Sequence, residues 1–340
     1  MKFSIIIPVY NVAPYLHACL DSVVAQDYVD WEAVCVDDGS TDESLSILRE
    51  YAAHDSRVVV IAQENAGVSV ARNVALARMT GDYFLFLDGD DLLKPRVLNY
   101  AAACLSASDA EAILTYPLFE RFLDGVHPKL TSLPKQPTWT SVHVRRDLIV
   151  GPKGTQGFIA GRVLSRSKFG SVRFPVGQAM AEDLIYWIDI LKISARWVML
   201  EGAFEGYRQR GGSVCQQIKP SVYANVFDAY MYVVDALRDE AIFGSQAVAA
   251  YWNRWSGVYK MFLHGAYRQW KKLNAMQRKR VLKFNYELVS TLGFYPLDFV
   301  FRLRWWAGRL HILSAFEPAF YGLDCLVMGL KARLRRCVSR

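Results

Sequence analysis

The chain has 340 residues, 52% of them hydrophobic, which is enough for one large domain or two smaller ones with a sizeable core. Its six cysteines (Cys19, Cys35, Cys104, Cys215, Cys325, Cys337) are scattered with no C-x-x-C pair, which argues against a disulfide framework or a zinc site and fits a reducing cytosol. The net charge of +7 is uneven: residues 1–225 carry 22 Lys+Arg against 25 Asp+Glu, whereas residues 226–340 carry 18 against 8.

The opening run to Asn11 is broken by Pro8 and lacks the length and basic flank of a signal peptide. No stretch of about 18 uninterrupted apolar residues announces a transmembrane helix. Phe3–Val9, short and β-branched, reads as a buried strand. Pro14–Gln26 has helical spacing, with Leu16, Leu20, Val23 and Val24 on one face. Glu32–Val36 is a second strand, ending at Asp37-Asp38-Gly39-Ser40. Ser40 with Glu43 reads as a capping box opening a helix to about Ala53. Arg57–Ala62 is a third strand, Gly67–Met79 a helix, and Asp82–Leu87 a fourth strand. This alternation predicts an α/β fold with a mostly parallel sheet flanked by helices, whose ligands bind at the carboxyl ends of the strands. Asp37/Asp38 and Asp88–Asp91 lie where the second and fourth strands run out.

Residues 111–180 are less regular. Glu111–Tyr116 and Phe119–Phe122 read as strands, Leu123–Thr140 as a polar surface loop, and Phe158–Phe169 as a short basic element. Ala181–Leu191 is a helix with Leu184, Trp187, Ile188 and Leu191 inward. Strands at Trp197–Leu200 and Phe204–Gln209 follow. From Pro220 onward the pattern is helical, with candidates at 221–240, 246–270, 275–291 and parts of 297–337. The expected division is therefore a catalytic α/β domain over 1–220 and a helical, basic region over 221–340.

Five clusters carry candidate chemistry. Asp88-Gly89-Asp90-Asp91 places three carboxylates in four residues, a repulsive arrangement that a cation relieves. Mg²⁺ or Mn²⁺, held by one or two carboxylates plus substrate phosphates, suits it; a solvated turn capping a helix near Pro95 is the plain alternative. Asp37-Asp38 at a strand end can accept from a ribose or a base edge, with Ser40 capping and Asp38 left for a ligand. Asn65-Ala66-Gly67, opening a helix that carries Arg72 and Asn73, is a ready anion seat, or else an ordinary Gly-started helix with a surface Arg. Glu182-Asp183 opens another helix, where the dipole alone favours acids, yet either could act as a base. Tyr207-Arg208-Gln209-Arg210-Gly211-Gly212-Ser213 could clamp a diphosphate or be a basic hairpin loop. No P-loop, dinucleotide-binding or nucleophile-elbow motif is present, and the six His show no metal-ligand spacing.

In this order, the motifs resemble those of the GT-A-fold glycosyltransferases of family 2, the bacterial inverting type. Ser4–Asn11 is similar to their first strand and turn, Asp37–Asp42 to their nucleotide-binding turn and Asn65–Asn73 to their N-x-G-x-x-x-A-R-N helix. Asp88-Gly89-Asp90 resembles their DXD motif, Glu182-Asp183 their E-D motif, and Tyr207–Ser213 the segment that closes the donor site. The resemblance covers about residues 3–215. It implies a UDP-sugar donor whose uridine is held around Pro8, Tyr10, Asn11 and Asp38, with Asn65, Gly67, Arg72, Arg208, Arg210 and Ser213 lining the donor site. It also implies metal binding by Asp90, with Asp88 approaching the ribose, donor sugar or metal, and a catalytic base at Asp183, with Glu182 as second choice. Transfer with inversion to a hydroxyl of a glycan or lipid-linked acceptor, in surface polysaccharide or lipopolysaccharide synthesis, is the expected activity. A nucleotide-sugar-forming nucleotidyltransferase and a non-catalytic nucleotide-binding module are the other readings. Val9–Ala13 lacks the Gly-rich loop of the first.

Residues 226–340 show no motif. Within them, 299–311 interleave Arg with Trp, which suits either an anionic membrane surface touched through 297–340 or a helical bundle packed on the catalytic domain. A cytoplasmic protein, peripheral on the inner membrane face in the first case, and no nucleic-acid partner are expected.

Overall fold

The structure, a computed structural model, describes residues 1–117, 119–125, 128–133, 137–142, 148, 158–210, 220–252, 254, 266 and 272–292. The chain divides into two compact units, Met1–Gln217 and Ile218–Arg340.

The first unit begins with the expected alternation. It runs β1 (Phe3–Val9), α1 (Ala13–Val24), β2 (Trp31–Asp37), α2 (Ser44–His54), β3 (Val58–Ala62), α3 (Val68–Arg78) and β4 (Tyr83–Phe86). Then come β5 (Leu92–Leu93), α4 (Val97–Ala107), β6 (Ala112–Tyr116), β7 (Phe119–Leu123), β8 (Trp139–Val142), β9 (Arg162–Ser165) and the short α5 (Arg166–Phe169). The unit closes with α6 (Glu182–Lys192), β10 (Trp197–Glu201) and β11 (Glu205–Gln209). Eight strands form one sheet in the order β3-β2-β1-β4-β9-β6-β10-β8. It is mostly parallel, but β9 runs against both β4 and β6, and β8 against β10. β1 and β2 are buried along nearly their whole length, which is why they read as mostly apolar runs rather than alternating ones, with polar residues only at Ser4, Glu32 and Asp37. The chain leaves β1 toward β2 and β3 on one side and returns to β4 on the other. That reversal beside β1 opens a crevice at the carboxyl ends of the strands. A second sheet, β5-β11-β7, stands beside it.

Two local expectations are corrected. Ser40 does not cap α2: the helix starts at Ser44, whose backbone N–H donates to Asp42 Oδ1 at 2.9 Å, while Ser40 Oγ accepts from the N–H of Asn11 at 3.1 Å. Asp91 does not cap a helix near Pro95 either; α4 starts at Val97 and Arg96 precedes it in a left-handed conformation.

The opposite end of β1 is pinned by Glu32. Its carboxylate accepts from Ser4 Oγ (2.6 Å), Lys2 Nζ (2.9 Å) and both the N–H and hydroxyl of Thr80. Burial alone would raise its pKa, but these donors outweigh that and bring it down to about 2. A carboxyl with a depressed folded pKa stabilises above its unfolded value and loses that contribution as pH falls through the folded one. The unfolding midpoint of the wild type in urea should therefore fall more steeply than that of Glu32→Gln between about pH 5 and about pH 2, with about 3 kcal/mol at stake. Parallel slopes in the two proteins would refute this.

In the second unit, α7 (Pro220–Leu237) and α9 (Ala275–Leu292) pack through Phe227 and Phe284, stacked at 4.5 Å, with the buried Trp252 against Phe284. The short α8 (Glu240–Phe243) and helical residues 247–252 lie between them in sequence. The predicted 246–270 helix is described only in part, and the 297–340 segment lies outside the described residues. No helix among the described residues is long and apolar enough to cross a membrane.

Candidate active site

The carboxyl ends of β1, β2 and β4 bring the predicted clusters together. Asn11 sits after β1 at φ 51° and locks the loop after β2: its Oδ1 accepts from the N–H of Thr41 at 2.8 Å. Tyr10 beside it is half exposed, at 50%. Gly39 turns this loop at φ +72°, and a Cβ there would stand 2.7 Å from the backbone N of Asn65, so only glycine fits.

Asp38 is not left open for a ligand. It is buried, and its carboxylate accepts from the N–H groups of Ala66 (2.9 Å) and Gly67 (2.8 Å) and from Gln63 Nε2 (2.7 Å). Asn65 completes the link by donating Nδ2 to the Asp38 carbonyl. The anion seat ahead of α3 is thus filled by the chain's own carboxylate. The neighbouring Asp37 differs: Oδ2 accepts from Ser40 N–H at 3.2 Å, while Oδ1 is buried without a hydrogen-bond partner. A buried orphan oxygen costs about 1–3 kcal/mol, so it marks a place where a ligand N–H or O–H is welcome.

The centre of the site is Arg72. The plain alternative of a surface arginine is ruled out by its 3% exposure. Its Nη2 donates to Asp88 Oδ1 (3.0 Å), and Nη1 donates to Asp183 Oδ1 (2.7 Å) and Glu182 Oε1 (3.2 Å). One guanidinium therefore ties the β4 loop, 16 residues on from it, to the start of α6, 111 residues on. Burial would lower its pKa, but Asp183, Asp88 and Glu182 outweigh this and hold it charged. Asn73, next along α3, clamps the segment leading to α6: Nδ2 donates to the Phe174 carbonyl and Oδ1 accepts from the Phe174 N–H. Phe174 stacks on Tyr186 of α6 at 3.9 Å. Ala181, preceding α6, takes φ 64°, a strained backbone for an L-residue, directly before the two acids that meet Arg72.

Desolvation raises the Asp183 pKa above the carboxylate range, with Glu182 and Asp88 adding to it and Arg72 opposing. Asp183 keeps 23% side-chain exposure, so it can be reached from the cleft.

The acidic loop is held by β11 and the residue after it. The Arg208 N–H donates to Asp91 Oδ1 (2.8 Å) and its Nε to the Asp90 carbonyl (2.9 Å), while Arg210 Nε donates to Asp90 Oδ2 (2.6 Å). Both guanidinium groups lie about 5 Å over the Tyr15 ring (5.0 and 5.1 Å). Burial, then Asp88 and Asp90, push Asp91 up to about 9, so it is an interior anchor for β11. Burial, then Asp88, also raise Asp90. Asp88, with 46% of its side chain exposed, is the open carboxylate of the loop. Ser213 lies outside the described residues.

Asp88 and Asp90 are hard oxygen donors, and among the described residues no group of three or more His, Cys, Asp or Glu forms a complete cage. That donor set fits Mg²⁺ or Mn²⁺ completing its shell with phosphate and water. Gly89 packs closely on the end of β1: a Cβ there would stand 3.1 Å from Val12 Cγ2 and 3.4 Å from the Pro8 carbonyl.

Two interior residues escaped the sequence reading. Arg162 on β9 is 1% exposed and lies 3.8 Å under the Trp187 ring. Burial lowers its pKa to about 9, against the attraction of Asp183 and Glu205. Glu205 on β11 accepts from the Gly161 N–H at 2.9 Å, and burial pushes it up to about 8. The available signal was a charge inside an apolar run, Gly161–Leu164 and Ala203–Gly206, since such residues are rarely buried without a partner.

A sheet reversing beside its first strand, with acidic residues at the reversal and a small second sheet bracing them, is the GT-A class of fold. Comparison with known proteins agrees. The sequence model described as glycosyl transferase family 2 matches residues 4–162. The putative teichuronic acid biosynthesis glycosyltransferase TuaG of Bacillus subtilis is 32% identical over 192 residues, 56% of this chain and 71% of that protein. The chain belongs to glycosyl transferase family 2. Glycosyltransferase GlyA of Streptococcus pneumoniae is 50% identical over 93 residues, which is 27% of this chain and 13% of that one. The chain thus matches about an eighth of GlyA, and 26% of the B. subtilis glycosyltransferase EpsJ. Among solved structures, S. aureus TarS 1–349 in complex with UDP-GlcNAc has the same fold, with TM-score 0.68 at 19% identity over 95% of this chain and 91% of that one.

Proposed function

We propose that this protein transfers a sugar from a UDP-sugar to a hydroxyl of a glycan or lipid-linked acceptor, with inversion, in the synthesis of a surface polysaccharide. The observation that carries the reading is the Arg72 bridge, which holds a cation-type carboxylate, Asp88, and a base-type carboxylate, Asp183, on one guanidinium. Transfer needs both functions on opposite sides of one anomeric carbon. Relatives such as TuaG, named for teichuronic acid biosynthesis, support the polymer assignment, and a TarS structure holding UDP-GlcNAc supports the donor class.

The uridine would lie against Tyr10 and Asn11 at the end of β1. The orphan oxygen of Asp37 is suited to accept the base N–H, while Asp38, Asn65 and Gly67 form the wall behind it. Asp90, with Asp88, would hold Mn²⁺ or Mg²⁺, which supplies charge neutralisation to the departing diphosphate. Arg210, with Arg208 behind it, stands beside Asp90 and adds a second positive charge for the same oxygens. Asp183 binds Arg72 through Oδ1 and leaves Oδ2 to take the proton of the incoming hydroxyl; Glu182, also on Arg72, steadies the pair.

Asp90→Ala should abolish the Mn²⁺ dependence of UDP binding. Calorimetric titration with and without Mn²⁺ tests it, and an unchanged metal-dependent affinity would remove Asp90 from the metal site. Release of UDP from a screen of UDP-sugars, with and without acceptor, tests the reading as a whole.

A further inference from the structure

β11 and β7 pair in parallel with Glu205 opposite Phe119, Gly206 opposite Glu120 and Tyr207 opposite Arg121. Alternation then splits the small sheet into two faces. One face carries Gly206, Arg208, Glu120 and Phe122. It is occupied: Glu120 pairs with the buried Lys94 at 2.7 Å, and Arg208 holds the acidic loop. The other face carries Glu205, Tyr207 and Gln209 from β11, with Phe119, Arg121 and Leu123 from β7.

This second face grades from interior to solvent. Glu205 is 3% exposed, Tyr207 and Phe119 are half-buried, and Gln209, Arg121 and Leu123 are exposed. Its inner end lies in the field of the catalytic cluster, since Glu205 interacts with Asp88, Arg162 and Arg72. Moving outward, Tyr207 and Phe119 have ring centroids 5.0 Å apart, and Phe158, 39% exposed, meets Phe119 edge-on at 5.6 Å. The Arg121 guanidinium lies 5.4 Å from the Phe119 ring at the solvent edge. Tyr207 stands two residues, about 7 Å, along the strand from Glu205.

We propose that this face is an acceptor subsite: the pyranose ring of an acceptor glycan stacks on the Phe119–Phe158–Tyr207 cluster while its hydroxyls bond to Arg121 and Gln209. The proposal rests on the transfer reading above. Aromatic faces carry partial negative charge and attract the positively polarised C–H groups that line one face of a pyranose. Exposed guanidinium and amide groups at the edge supply donors for its hydroxyls. Arg208 projects from the opposite face of the sheet, toward the Asp90–Arg210 side, whereas the strip's inner residue, Glu205, shares the charge of buried Arg162 with Asp183. A chain lying along it would lead inward toward the base.

The test is saturation-transfer NMR on the full chain with methyl glucopyranoside, methyl N-acetylglucosaminide and methyl glucuronide, recorded without donor. At least one probe should show saturation of its ring C–H protons in the wild type. That signal should disappear in Phe158→Ala and Phe119→Ala and persist in Phe158→Trp, with UDP affinity the same in all. Should Phe119→Ala fail to fold, the exposed Phe158→Ala and Arg121→Ala decide. Saturation unchanged in these variants, or absent from the wild type with every probe, overturns the subsite. Failure of the wild type to bind UDP sinks the transfer reading instead, and the sugar signal is read independently of it.

Discussion

Asp183→Asn is expected to reduce sugar transfer by roughly 10²–10⁴-fold, the usual value of a positioned general base. The replacement is isosteric and keeps an oxygen for the 2.7 Å bond from Arg72, so the link between α3 and α6 survives. What is lost is the ability to take a proton. UDP affinity in the presence of Mn²⁺ should stay within about twofold, because in the proposed donor site the phosphates would face Asp90 and Arg210 rather than α6. UDP release at saturating donor and acceptor, set beside a UDP titration, separates the two effects. Undiminished turnover in this variant would return the base role to Glu182. The wild type carries a pH signature of the same chemistry. As the proposed base Asp183 would work ionised, and burial holds its pKa above the usual carboxylate range. Transfer should therefore rise with pH along a limb well above about pH 4, and that limb should be missing from whatever residual rate Asp183→Asn retains.

Arg72→Met should strongly destabilise the first unit. Three carboxylates, Asp88, Glu182 and Asp183, converge on this one buried cation. Removing one partner of a buried ion pair costs about 3–5 kcal/mol, and the low end applies because Asp88 is partly open to solvent. For a unit of this size the melting temperature should drop on the order of 10 °C. The surviving carboxylates repel one another, so the acid limb of any remaining activity should move to higher pH. Arg72→Lys keeps the charge but not the fork, and a point ammonium cannot serve Asp88 and the α6 acids together. It should recover part of the stability and little of the activity. Thermal melts and pH–rate profiles of the two variants test both statements. A melt of Arg72→Met that matches the wild type would show the bridge to be inessential.

Much of the first unit was legible because its signals are local. The strands buried on both faces, Phe3–Val9 and Trp31–Asp37, announce themselves as short, mostly apolar runs that carry Ile5–Ile7 and Val34/Val36, and the alternating helices bound them. The acidic loop and the Glu182-Asp183 pair were legible as charge placed at an element boundary. β9 was harder. It is four residues long and pairs with β4 and β6, which lie about 80 and 50 residues back in the chain, so no nearby periodicity marks it. Arg162 within it was passed over as part of a basic stretch; only packing shows that it is buried under Trp187.

By itself, then, the sequence determined the opening strand–helix alternation through the fourth strand, the mostly parallel sheet and the carboxylates at its strand ends, because periodicity and charge at strand ends depend on neighbours in the chain. The partners of those charges were decided only by the tertiary structure. Asp37 and Asp38 are adjacent and alike on paper, yet Asp38 is consumed by the amides before α3 while Asp37 keeps an orphan oxygen. Arg72 could have been a surface residue, and becomes the joint of the site because Asp88 and Asp183 arrive from 16 and 111 residues away. A hydrogen bond or ion pair depends on distance in space, and the burial that sets its strength is a property of the packed molecule.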